Sequence, residues 1–211
     1  MASSTQQAIK VCSAKAFEAM RQVDPAWRRR TPHILREQGG LVHAIHFQGS
    51  QFGSKDEGSF TVNLSVSCKP IYEAWTGRPF PANPATALFP IQERIGRFME
   101  ERRDHWWSVT ESSNLEELSL SVAATVVRGA DSFFNRYTSI EAMLAELRAT
   151  GTLPGLTKHQ APVIHGIIAT IQNQPREAEA AFRKAMESPI VAFRETVAIV
   201  ASRVGLTVAA L

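Results

Sequence analysis

Two histidines three residues apart, His43 and His46, carry side chains that can act as general bases or as metal ligands. They lie in the stretch LVHAIHFQGS, which is bracketed by turn residues and therefore predicts a β-strand. Successive side chains of a strand point to opposite faces, so the two imidazole rings cannot chelate the same metal ion. We predict that His43 is a core histidine with a satisfied ring, and that His46 faces solvent or a groove.

The second candidate for chemistry is a surface rich in arginine and tryptophan, combined with the polar face of a strand. Its residues are Arg94, Arg97, Trp106, Trp107, His46, Asn63 and Ser65. Arginine and tryptophan are enriched among the residues that dominate protein–protein binding energies. The alternative is that one tryptophan belongs to the core and that the arginines pair with Glu93, Glu100 and Glu101, and the sequence favours this alternative.

The positive charge of the chain is concentrated near its beginning. Residues 1–36 contain seven Lys or Arg and two Asp or Glu, a balance of +5, whereas the remainder has sixteen against eighteen, a balance of −2. The densest point is Arg28, Arg29 and Arg30. These arginines could contact the phosphates of a nucleic acid, or they could form the solvated end of a helix. A nucleic-acid binder usually has a wider basic face, which favours the helix end.

Sequence motifs of several enzyme classes are absent from the chain. It has no phosphate-binding loop, no G-x-G-x-x-G dinucleotide motif and no G-x-S-x-G nucleophile motif. The two cysteines, Cys12 and Cys68, do not make a disulfide framework or a zinc site, and Cys68 is predicted to be a core residue. We therefore predict no cofactor and no metal, and favour a non-catalytic protein. An enzyme with its site under residues 69–90 is kept as an alternative, which a pocket holding His46 and a carboxylate would support.

The distribution of apolar residues bears on location. The N-terminus lacks a basic segment followed by an apolar core, so no secretory signal is predicted. No apolar run approaches the roughly 18 residues of a membrane span. We expect a cytoplasmic protein without a membrane partner.

Residue patterns predict a strand-rich middle section. A strand, a tight turn at Gly39–Gly40 and a second strand are followed by FTVNLSVSC, whose strict alternation predicts a half-buried antiparallel strand. Residues 69–90 hold five prolines and predict a long irregular crossing, either a binding lid or a rigid strap. Residues 91–99 fit either a helix or a strand.

Helices are predicted on both sides of this section. Residues 5–22 form the first, and two later helices are predicted to be capped by Ser113 with Glu116 and by Thr138 with Glu141, the second ending near Gly151. From Lys158 onward the pattern is purely helical, and AEAAFRKAMESP resembles the second helix of a tetratricopeptide repeat. A single copy does not make a solenoid, which favours a helical hairpin packed on the domain or on a dimer mate.

An ordered set of motifs resembles a known family. GGLVHAIHFQGSQFG, SFTVNLSVS, ERIGRFM, a WW pair, a capped helix and SIEAMLAEL occur in that order. This arrangement resembles a bacterial family of unknown function, number 4304 in the domain-of-unknown-function series, over about residues 8–148. The resemblance implies an α+β domain, favours a strand at QERIGRFM and suggests another beginning at WWSV. It implies no catalytic residues.

The sequence as a whole therefore predicts an α+β fold. An antiparallel sheet of about four strands is backed by helices in residues 1–152, and a helical hairpin or three-helix extension follows in residues 153–211. The predicted function is protein binding, in an immunity-like or accessory role. The predicted partner is another protein, with a homodimer as a further alternative and nucleic acid less favoured.

Overall fold

The computed structural model describes residues 3–87 and 91–208. Within these ranges the strands are β1 (Arg28–Arg30), β2 (His33–Gln38), β3 (Leu41–Gly49), β4 (Glu57–Cys68), β5 (Ile91–Arg94) and β6 (Trp107–Thr110). The α-helices are α1 (Ser4–Val23), α2 (Lys69–Thr76), α3 (Leu115–Phe134), α4 (Ile140–Thr150), α5 (Gln160–Ile171), α6 (Pro175–Met186) and α7 (Val191–Arg203). Short 3₁₀ helices lie at Pro84–Thr86 and Ile95–Phe98.

All six strands join one antiparallel sheet in the order β1-β2-β3-β4-β5, and β6 also pairs with β4. The α+β prediction is therefore confirmed, with two strands more than the expected four or so. The tight turn at Gly39–Gly40 is also confirmed. Both glycines have positive φ, +59° and +78°, which a two-residue turn between twisted strands requires at its two central positions.

Strand β1 corrects the expectation for the basic segment Arg28–Arg30. The residues are not a helix end, because they pair antiparallel with β2 and place Arg28 opposite Leu35 and Arg30 opposite His33. The preceding Trp27 is buried and contacts the ring of Phe134, which fixes the start of the strand in the core.

Strand β4 is buried on both faces, which corrects the prediction that it is half-buried. Its apolar face is in the core as expected, but its other face is buried too, through Thr61, Asn63, Ser65 and Ser67. Alternation of residue types separates the two faces of a strand, but it does not reveal whether each is covered. Short polar side chains can be buried when they are hydrogen-bonded, as Asn63 is by Gln48.

Helices α1 and α3 pack against each other and cover the apolar face of the sheet. Gly129 of α3 lies so close to β4 and to the segment after β5 that an added Cβ would meet Ile95 and Leu64. The predicted first helix is confirmed, and Cys12 lies in its buried face.

Two predicted helix caps are displaced by one residue. Asn114, not Ser113, caps α3 by accepting a hydrogen bond from the backbone N–H of Glu117. The Ser113 hydroxyl instead accepts a hydrogen bond from the Thr110 N–H in the preceding turn, so it does not cap the helix. Helix α4 is capped by Ser139 rather than Thr138, and it ends at Gly151 as predicted.

Residues 69–90 are not irregular throughout. Their first part is helix α2, which begins with Pro70 in its first turn, a position that proline tolerates, and is capped at its C-terminal end by Gly77. Residues 88–90 of the predicted crossing lie outside the described residues. Residues 91–99 turn out to be both short strand and 3₁₀ helix, and the strand predicted at WWSV is confirmed as β6.

The chain divides into two compact units. The first comprises Met1–Gln38, Val42–Val66 and Gln92–Arg136, and the second comprises Gly39–Leu41, Ser67–Ile91 and Tyr137–Leu211. In the second unit α5 contacts α2, α4, α6 and α7 and is buried along most of its length. The predicted division after residue 152 stays a prediction. Among the described residues, no helix has both the length and the apolar character to cross a membrane.

Candidate functional site

His43 is a structural residue of the core. It is fully buried on β3, where its Nδ1 accepts a hydrogen bond from Arg36 Nη2 at 2.9 Å and its ring stacks on Phe134 at 4.6 Å. Arg36 also pairs with Asp24 at 3.0 Å and lies over the Trp27 ring. The prediction of a satisfied core histidine is confirmed.

His46 lies on the opposite face of β3, half-buried and stacked on His33 of β2. The ring centroids are 4.3 Å apart and the planes differ by 8°. Burial lowers the pKa of both rings, and the positive charge of a protonated His46 lowers that of His33 further, to about 4. Both imidazoles are therefore neutral at pH 7. The neutral ring of His46 can donate a hydrogen bond from one ring nitrogen and accept one at the other.

Sequence reasoning missed His33, although the signal was present. A two-residue turn at Gly39–Gly40 fixes the register of β2 and β3, because residues equally far from the turn lie opposite each other. His33 therefore lies opposite His46, and Arg36 lies opposite His43. The hydrogen bond from Phe47 N–H to Pro32 O, 3.0 Å, is consistent with that register.

His33 and His46 form a polar row across β2 and β3, and Asn63 continues this row onto β4. Its Nδ2 donates to Gln48 Oε1 at 2.9 Å. The hydrogen bond from Ser50 N–H to Ser59 O sets a register in which Asn63 lies beside His46. The structure therefore places His46 beside Asn63, two of the three predicted strand-face residues; the third, Ser65, is buried further along β4.

A second group, the Arg94–Trp106 cluster, consists of Arg94, Asp104 and Trp106. The guanidinium carbon of Arg94 lies 5.0 Å from the centroid of the Trp106 ring. Asp104 accepts a hydrogen bond from Trp106 Nε1 at 3.0 Å and forms an ion pair with Arg94 Nη1 at 3.7 Å. The carboxylate thus holds both the indole and the guanidinium, with the Arg94 side chain 34% exposed.

The other two predicted surface residues follow the alternative interpretation. Trp107 is buried on β6, where its ring stacks on Phe60 at 5.4 Å. Arg97 forms an ion pair with Glu93 at 3.9 Å and donates a hydrogen bond to the Arg102 carbonyl at 3.1 Å. One tryptophan is therefore part of the core, and one arginine is paired with a nearby glutamate.

The three arginines of β1 do not present one cationic face. Arg29 turns toward α1 and donates to the Lys10 carbonyl at 3.0 Å and to the Ser13 hydroxyl at 3.2 Å. Arg28 and Arg30 are exposed, and Arg28 donates to the Pro25 and Trp27 carbonyls. Only two of the three cations are exposed.

Thiol and metal chemistry have little support in the described part of the chain. Burial raises the pKa of Cys12 to about 12 and that of Cys68 to about 11, so neither thiol is ionised at neutral pH. No group of three or more His, Cys, Asp or Glu residues in residues 3–87 and 91–208 is arranged to hold a metal ion.

Comparison with known proteins identifies a family. The model of the family described as Domain of unknown function (DUF4304) matches residues 27–136, which is more than half of the chain. The match includes the His33–His46 pair and the Arg94–Trp106 cluster, and the helices from α4 onward lie outside it. No curated protein and no solved structure matches the chain.

Proposed function

We propose that this chain, which belongs to the family described as Domain of unknown function (DUF4304), binds another protein through the Arg94–Trp106 cluster and has no catalytic function. The observation that carries this proposal is the arrangement of the cluster. A partly exposed indole is held on one edge by Asp104 and covered on one face by Arg94.

This arrangement suits a binding hot spot for two physical reasons. Tryptophan and arginine contribute large contact areas and directional hydrogen bonds, which is why they dominate many interfaces. Side chains that are already held in place lose little conformational entropy when a partner binds. The ion pair with Asp104 leaves other guanidinium N–H groups of Arg94, which can donate to a carbonyl or carboxylate of the partner.

The setting that we propose is the bacterial cytoplasm, with an immunity-like or accessory role in which this domain binds and restrains another protein. The resemblance of the motifs to a bacterial family supports the bacterial source. Two buried cysteines that form no disulfide are compatible with a reducing compartment. Fractionation of the native host, followed by detection of the protein in each fraction, tests the location.

The function is tested by affinity purification of the tagged protein from its native host. We expect one stoichiometric protein that withstands nuclease and high salt, and that is lost from Trp106→Ala and from Arg94→Ala. The matched controls are Trp75→Ala and Arg128→Ala, which remove the same residue types elsewhere in the chain. Retention of every partner by the two cluster variants, with the fold intact by circular dichroism, would show that the cluster is not the binding surface.

Nucleic-acid binding through Arg28 and Arg30 is the competing outcome of this experiment. It requires that RNA or DNA co-purify and be released as salt rises, because phosphate contacts release counterions. It also requires that Arg28→Ala with Arg30→Ala weaken the binding. The inward orientation of Arg29 makes this basic surface narrower than the sequence suggested.

A further inference from the structure

A cleft of about 570 Å³ opens in the first unit, where the first turns of α1 meet the end of β3 and the loop that follows it. Its volume is within the range of about 300–1,000 Å³ typical of small-molecule sites. The side chains that matter for recognition are Thr5, Gln6, His46, Gln48, Ser50 and Phe52. Of the polar row formed by His33, His46 and Asn63, His46 is the residue that lines the cleft.

The lining of the cleft is uncharged. Among the described residues that line it there is no Asp, Glu, Lys or Arg. Its one titratable side chain, His46, is kept neutral at pH 7 because burial lowers the pKa of the ring. A charged ligand would lose hydration there without meeting an opposite charge, which is costly. The cleft therefore favours a neutral molecule.

Polar groups in the cleft remain available for hydrogen bonding. The Oε1 atom of Gln48 accepts from Asn63, which leaves the amide nitrogen of Gln48 to donate to a ligand. Thr5 contributes a hydroxyl that can both donate and accept. A ligand that matches this set carries several groups that are donors and acceptors at once, and hydroxyl groups have this property.

One aromatic ring stands at the rim of the cleft. Phe52, in the loop between β3 and β4, is 87% exposed. A phenyl face can pack on the apolar C–H face of a ring-shaped ligand while amides and hydroxyls bind its edge. Flat apolar faces combined with a hydroxyl-rich edge are characteristic of pyranose sugars.

We infer that this cleft is a binding site for a small, uncharged, hydroxyl-rich molecule, a monosaccharide or the end of a glycan. Phe52 supplies the stacking face, and Gln48 and Thr5 bind the hydroxyl edge. The site is separate from the Arg94–Trp106 cluster in its residues, so either function can hold without the other.

The inference is tested by saturation-transfer and heteronuclear NMR titrations of the intact chain. The probes are glucose, galactose and N-acetylglucosamine at millimolar concentrations, with glucuronic acid as the charged counterpart. We expect at least one neutral sugar to shift the resonances of Gln48, Ser50 and Phe52, and glucuronic acid to bind much more weakly.

Three variants sharpen the test. Phe52→Ala should weaken binding about tenfold, whereas Phe52→Trp, which keeps an aromatic face, should retain it. Gln48→Glu preserves the acceptor for Asn63 but replaces the free amide nitrogen with a charged oxygen, so it should abolish binding. Leu120→Ala, which truncates an exposed apolar side chain on α3, is the matched control.

Several results would overturn the inference. One is the absence of a response to all three neutral sugars while the spectrum shows a folded protein. Another is equal binding of glucuronic acid, and a third is unchanged affinity in Phe52→Ala. Because Phe52 is exposed, its replacement should leave the fold intact, and an unchanged dispersion of amide resonances checks this.

Discussion

Acidification should destabilise the protein through the stacked pair His33 and His46. The pKa of His33 is lowered from 6.5 to about 4, first by burial and then by the charge of a protonated His46. Arg30 lies opposite His33 in the β1–β2 register and adds a further positive charge to the same face. His33 therefore becomes protonated near pH 6.5 in the unfolded chain, but only near pH 4 in the folded chain.

The sign follows from proton linkage. The contribution of His33 to the free energy of unfolding is fully present above pH 6.5. It is lost as the pH falls from 6.5 to about 4, and it does not change further below that value. The two pKa values, 6.5 and about 4, differ by about 2.5, which corresponds to at most about 3.4 kcal/mol at roughly 1.36 kcal/mol for each pH unit. Since His33 is partly exposed, solvent screening reduces this, and we expect about 2 kcal/mol.

Urea unfolding at about pH 7.5 and about pH 4 measures the effect. The variant His33→Gln should remove about 2 kcal/mol of the difference between the two pH values. The control His159→Gln, in the second unit, removes a histidine outside the pair and should leave the contribution of the pair unchanged. Comparing variants at each pH cancels the contributions of carboxylates that titrate in the same range.

A histidine titration by NMR gives an independent result. The ring protons of His33 should titrate near pH 4 in the native protein and closer to 6.5 in His46→Gln. A native titration near 6.5 would refute the reasoning, because the ring would then be neither desolvated nor repelled. An unchanged pH dependence of unfolding in His33→Gln would refute it as well.

Three further predictions concern packing, charge and reactivity. Gly166→Ala should destabilise the protein by about 1–2 kcal/mol in urea unfolding, because the added Cβ would lie 2.7 Å from the ring of Phe182, and a gain in stability would contradict this. The pKa of Glu177 is lowered to about 2 chiefly by its hydrogen bonds from Arg148, so NMR titration should show it rising toward 4.5 in Arg148→Gln. Cys12 should react with a disulfide reagent only after unfolding, and rapid reaction of the native protein would show that the thiol is accessible.

The pattern of the first helix and the central strands could be predicted because local signals agree there. Helix α1 has one buried face and a proline after its end, and the Gly39–Gly40 turn has the residues that positive φ requires. The alternation of β4 defined its two faces correctly. Each of these signals lies within a few residues of the feature that it specifies.

The features that were missed depend on contacts between distant parts of the chain. Arg28–Arg30 became a strand because β2 offers it a partner and because Trp27 is buried against Phe134, more than a hundred residues away. Helix α2 was hidden by the prolines around it, although Pro70 is in its first turn. Propensity is a weak guide where tertiary packing decides.

For the Arg94–Trp106 cluster, the sequence identified the residue types but not how they pair. It offered Glu93, Glu100 and Glu101 as partners of the arginines, whereas Arg94 pairs with Asp104. The chain turns sharply between β5 and β6, and Gly96 approaches the backbone of Arg103 and His105 so closely that no Cβ would fit. This turn brings Asp104 next to Arg94.

The polar face of the sheet contains residues that line the cleft and residues that are only buried. Thr61, Ser65 and Asn63 are buried there, and the Thr61 hydroxyl has no hydrogen-bond partner among the described residues. Burying a hydroxyl without a partner costs free energy, and valine at the same position would bury a similar volume without that cost. Apolar packing alone therefore does not account for threonine at position 61. The same face carries His46 and Gln48, which line the uncharged cleft, whereas Thr61 is fully buried and is not among the residues that line it. Thr61→Val should therefore stabilise the protein to urea, and it should leave sugar binding unchanged because Thr61 does not line the cleft. A loss of stability would show that the hydroxyl makes a hydrogen bond in the native protein.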